Sequence, residues 1–91
     1  MTTLETVREL HVLYGIAMTN RLTEPVSAVS DAYDVFAAGI HTALFWIVKG
    51  SDVGRELRRL VEKWDEEIAC TSNERVAALY GSWAQNIKSI T

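Results

Sequence analysis

The sequence predicts an all-α fold: a compact bundle of about four helices around a long apolar second helix. Three observations predict it. Apolar residues recur at steps of three and four in four consecutive segments. The one strand-like run, Ala43 to Val48, has no second such segment to pair with. Short breaks rich in capping residues, and the single proline Pro25, separate the segments. The expected helices cover roughly residues 3–22, 25–49, 52–69 and 72–90.

The first helix is opened by Thr2 and Glu5, whose spacing is that of a capping box, and carries Val7, Leu10, Tyr14, Ala17 and Met18 on one stripe. Pro25 suits a first helical turn, where its missing N–H costs nothing, so the second helix is expected to start there and to end before Gly50. Val29, Tyr33, Phe36, Ile40, Leu44 and Ile47 form its stripe. Val35, Ala43, Phe45, Trp46 and Val48 broaden that stripe until the last two turns are apolar on nearly every side, the pattern of a buried helix. The third helix has the cleanest division, with Val53, Leu57, Leu60, Val61, Trp64 and Ile68 on one face and charges, Glu56 among them, on the face expected in water. Thr71 and Glu74 offer a second capping box, opening a fourth helix with Val76, Leu79, Tyr80, Trp83, Ile87 and Ile90 inward. Short connections favour antiparallel neighbours, hence an up-down-up-down arrangement in which Trp46, Trp64 and Trp83 meet in or near one core.

With 91 residues, one helical domain over residues 1–91 is expected, because two cores of this size would be starved of apolar area. The apolar fraction of 48% is high for a chain so short, which suggests that some apolar surface is shared with another chain. Twelve acidic against nine basic residues give a net charge of −3, which repels a phosphate backbone, so nucleic acid is not the expected partner. The uncharged stretch from Val35 to Val48 falls short of the ~18–20 residues that span a bilayer, and no membrane partner is expected. The N-terminus lacks the pattern of a secretory signal, and Cys70 is the only cysteine. Both features point to the reducing cytoplasm.

No catalytic or metal constellation stands out, and no cofactor is expected. His11 and His41 are solitary, and no Glu-x-x-His pair is present to build a bundle metal site. Asp34, His41 and Thr42 share the narrow polar side of the second helix, which reads more simply as a hydrogen-bonded surface than as an acid–base cluster. Ser51, Ser72, Ser82 and Cys70 have no histidine nearby in sequence, and no glycine-rich phosphate loop occurs.

The features that remain are surfaces. On the third helix Arg55, Arg58 and Arg59 come first, and Glu62, Asp65, Glu66 and Glu67 follow, an order opposite to the one the helix dipole favours. Local stability does not explain that order, so this bipolar face is one candidate for partner binding. The apolar surplus is the other: Val12 and Ile16 on the outer side of the first helix, and Phe45 on the polar side of the second. The expected function is that of a non-enzymatic protein–protein interaction module, a small acidic inhibitor or adaptor of the phage or mobile-element type that occupies a surface of a larger, nucleic-acid-binding or defence-related complex. The alternatives are a homodimeric transcriptional module reading DNA through Arg55, Arg58 and Arg59, and a small-ligand-binding bundle around Tyr33, His41 and the tryptophans.

Overall fold

A computed structural model describes residues 2–90 and shows four α-helices, α1 (Thr3–Thr23), α2 (Ser27–Val48), α3 (Val53–Cys70) and α4 (Glu74–Ser89), with no strand among the described residues. Each boundary has a chemical cause. The Thr2 hydroxyl accepts from the Glu5 amide at 3.2 Å and the Thr2 amide donates to the Glu5 carboxylate at 3.4 Å, completing the expected capping box. Thr6 is buried, yet its hydroxyl donates to the Thr2 carbonyl at 3.1 Å, so its polarity is satisfied inside the same turn.

Two helix starts differ from expectation. Pro25 lies in the turn and α2 begins two residues later, because the Glu24 carboxylate accepts from the Val26 amide at 3.2 Å and holds Val26 extended. At α4 the cap is Asn73, which accepts from the Val76 amide at 3.1 Å. Thr71 instead terminates α3, and its hydroxyl accepts from the Asn73 amide at 3.2 Å. Asp52 caps α3 by accepting from the Arg55 amide at 2.9 Å. At the end of α2, Gly50 takes the left-handed conformation with φ 99°; its amide reaches the Ile47 carbonyl and the Ser51 amide reaches that of Trp46, the paired bonds of a Schellman turn.

The short links make two antiparallel hairpins, α1 on α2 and α3 on α4. Among the described elements α2 is the one that packs substantially on all three others, whereas α1 rests chiefly on α2. The centre of the core is aromatic. Phe36 stacks on Trp83 at 4.9 Å between ring centroids and meets Tyr80 and Trp64 edge-on at 4.9 and 5.0 Å, which locks α2 to both helices of the second hairpin. Val29, Ile40, Leu44 and Ile47 extend this core along α2, with Leu10 and Ala17 sealing it from α1. Gly39 permits the close approach of α3: a Cβ there would lie 2.9 Å from Leu60 Cδ2 and 3.5 Å from the Trp64 ring. Gly15, by contrast, has no neighbour within 4 Å of a notional Cβ and mediates no helix contact.

The expectation that three tryptophans meet is corrected. Trp64 and Trp83 both touch Phe36, but Trp46 is 43% exposed. The last turns of α2 are not covered all round, because α1, α3 and α4 leave one side of that helix open. No helix among the described residues is long and apolar enough to cross a membrane.

Candidate functional site

Antiparallel wiring sorts the charges by end along the molecule's 36 Å long axis. The half built from the end of α1, the start of α2, the end of α3 and the start of α4 holds eight carboxylates, Glu24, Asp31, Asp34, Glu62, Asp65, Glu66, Glu67 and Glu74, against the cations Arg21, Arg75 and Lys63. Two of those cations are already engaged. Arg21 meets Asp34 at 2.8 Å, fastening α1 to α2, and Arg75 meets Glu24 at 3.2 Å, fastening α4 to the first turn. The opposite half carries six cations, Arg8, Lys49, Arg55, Arg58, Arg59 and Lys88, against Glu5, Glu9, Asp52 and Glu56. The bipolar order read along the third helix is therefore a property of the whole molecule.

Within the acidic half Glu62, Asp65 and Glu66 are exposed, as expected. Glu67 is half-buried, and its charge bears on Tyr80, whose hydroxyl is held above its usual pKa of 10.0 by burial first and by Glu67 second. A raised tyrosine pKa means that the unfolded chain releases the proton first. The contribution is fully present below pH 10 and is lost as the pH rises through the folded-state value. Urea midpoints of wild type and Tyr80→Phe measured from pH 8 to 11 are expected to run parallel up to about pH 10, after which wild type loses up to ~1.4 kcal/mol per pH unit relative to the variant. Parallel curves throughout would remove this linkage.

In the basic half Arg55, Arg58 and Arg59 are exposed, but Glu56 is not in water: its side chain is 3% exposed, between Arg59 at 3.4 Å and Arg55 at 3.9 Å. The first turn of a helix tolerates a buried carboxylate because free amides and the helix dipole favour negative charge there.

The apolar candidates divide between two places. Val12 and Ile16 are exposed one turn apart on α1. Phe45 is 48% exposed on α2, where it meets Trp46 edge-on at 5.1 Å and lies 5.6 Å beneath the Lys49 ammonium. Val48, 77% exposed, extends the Phe45–Trp46 surface; of the two covers the sequence allows for this surplus, the other helices or another chain, the other helices leave it exposed.

Asp34, His41 and Thr42 each have a separate partner. Asp34 is committed to Arg21, the Thr42 hydroxyl donates to the Ala38 carbonyl at 3.0 Å, and the exposed His41 faces the Tyr14 ring at 6.2 Å between centroids. Cys70 is exposed, and no cluster of three or more metal-ligating residues occurs among the described residues. Two clefts, which sequence reasoning did not find, flank the open side of α2. One lies against α1 beside Tyr14 and Met18, the other against α3 beside Glu56, Leu60 and Lys63. No protein-family model, no curated protein and no solved structure matches the chain.

Proposed function

We propose that this chain is a non-enzymatic interaction module that occupies a basic, nucleic-acid-binding surface of a larger protein complex, acting as a small cytoplasmic inhibitor or adaptor of the kind phages and other mobile elements direct at defence machinery. The observation that carries the reading is the acidic half. Carboxylates from α2, α3 and α4 and from Glu24 just after α1 gather there, and with Arg21 paired to Asp34 and Arg75 to Glu24 six carboxylates remain against Lys63, a surface that competes with a polyanion for a cationic channel. Glu62, Asp65 and Glu66 are the leading contacts, since they are exposed and support no core residue. The surplus apolar surface at Phe45, Trp46 and Val48 fits a protein partner and supplies a second contact region.

The test is affinity capture from the native host with wild type and with the triple variant Glu62→Lys, Asp65→Lys, Glu66→Lys. The variant is expected to lose the captured partner by ~100-fold or more in affinity, with a steep salt dependence of the wild-type complex. Its folding stability should stay within about 1 kcal/mol of wild type, as exposed substitutions usually do. A partner retained at full affinity by the triple variant would exclude the acidic surface. The alternative of DNA contact through Arg55, Arg58 and Arg59 is less well supported, because two of those guanidinia lean on the Glu56 carboxylate.

A further inference from the structure

The cleft between α2 and α3, of about 270 Å³, combines four features that together describe a ligand. Its floor is apolar, made by Val35, Ala38, Ala43 and Leu60, with Leu60 brought in by the close approach of α3 at Gly39. Its wall contains the buried carboxylate of Glu56. That carboxylate accepts one hydrogen bond, from Arg59 Nη1 at 3.4 Å, and lies 3.9 Å from Arg55 Nε; both are long beside the ~2.7–2.9 Å of a well-formed charge-assisted bond, so a closer donor would be favourable. Its rim carries Lys63, which is exposed and has no ion pair among the described residues, next to Arg59, whose side chain is 65% exposed and keeps donors beyond the Nη1 that reaches Glu56. Asp34 also borders the cleft but is held by Arg21.

A simple amine would satisfy Glu56 but face Lys63 and Arg59, and a simple carboxylate would meet those cations but leave Glu56 short of donors. A zwitterion with an apolar body complements every group. We propose that this cleft is a binding site for a free α-amino acid with a branched apolar side chain: its ammonium donates to Glu56, its carboxylate accepts from Lys63 and Arg59, and its side chain covers the floor between Val35 and Leu60. The site borders the acidic half through Asp34 and Lys63 but uses none of Glu62, Asp65 and Glu66, and it adds a small-molecule ligand to a protein whose proposed role is to bind another protein. A cleft of this volume accommodates leucine, and open sites that hold so few atoms give modest affinity.

The test is a titration of the ¹⁵N-labelled full chain, followed by amide shifts, with L-leucine, glycine, isovalerate and isopentylamine as separate probes. L-Leucine is expected to give saturable shifts confined to residues around 34–43 and 56–63, with a dissociation constant on the order of 1 mM. Glycine, which lacks the apolar body, and the two probes that each lack one charge should bind at least ~10-fold more weakly. Glu56→Gln, which keeps size and a polar head, and the surface change Lys63→Met should each weaken leucine by ~5-fold or more while leaving the remainder of the spectrum as in wild type. Absence of saturable shifts at tens of millimolar leucine (about 10-fold or more above the expected constant) overturns the proposal. So does equal binding of isopentylamine, or undiminished binding in a folded Glu56→Gln variant.

Discussion

Phe36→Ala is expected to lower stability by about 3–5 kcal/mol, the range for removing a buried aromatic ring. Phe36 is fully buried and is the one ring that touches Tyr33, Trp64, Tyr80 and Trp83 together, so its loss opens a cavity at the junction of three helices rather than at the edge of one. Three of the neighbouring rings, Trp64, Tyr80 and Trp83, are held by α3 and α4, which limits collapse into the space. Domains of this size have about 5–10 kcal/mol of stability in total. The variant should therefore melt roughly 12–40 °C below wild type, since each kcal/mol is worth ~4–8 °C in a chain this short. Thermal unfolding followed by near-ultraviolet circular dichroism checks this, and the aromatic bands should weaken even where the far-ultraviolet helix signal persists. A melting temperature within a few degrees of wild type would mean that the rings repack.

Glu56→Lys is expected to cost on the order of 3 kcal/mol, far more than reversing any exposed charge of α3. The substitution places an ammonium where the carboxylate sits at 3% exposure, between two guanidinia that have lost their anion, in the first turn of a helix whose free amides already present positive charge. Some of the strain escapes if the lysine reaches out through the neighbouring cleft. Glu56→Gln should cost only about 1 kcal/mol, because it removes charge without adding the opposite sign. Urea unfolding of the two variants distinguishes them, and equal losses would show that hydrogen bonding rather than charge holds this position.

Much of the fold was legible in the residues. The stripe from Val29 to Ile47 named the central helix correctly because a spacing of three and four is enforced by helix geometry whatever the neighbours do. Thr2 with Glu5 and Gly50 marked their ends because capping is a local matter of a few side-chain and backbone atoms. Trp46 and Glu56 were misplaced for one shared reason. Hydrophobicity and charge were taken as proxies for inside and outside, whereas burial depends on which sides of a helix have neighbours. The three helices around α2 cover only part of its circumference, so Trp46 emerges, and the approach of α3 to α2 that Gly39 allows encloses Glu56. The charge order along α3 could be read directly, but its merging with Glu24, Asp31, Asp34 and Glu74 required the direction of every helix. Neither cleft was legible, since interhelical gaps depend on spacings that no single segment encodes.

The unequal support of α1 governs how the molecule comes apart. Because α1 leans chiefly on one helix while α2 is braced by three, shedding α1 alone costs less free energy than unfolding the whole. Among the described residues its polar fastenings, Arg21 to Asp34, the Ser30 hydroxyl to the Arg21 carbonyl and Glu24 to Arg75, are near its C-terminal end. Opening is therefore expected to start at the N-terminal turns and run toward the turn at Pro25. In the partly open state Leu10 and the α1-facing side of α2 meet water while the aromatic junction of α2, α3 and α4 stays closed. The amides of α1 then exchange with solvent by peeling, and those around Phe36 only when the entire chain unfolds.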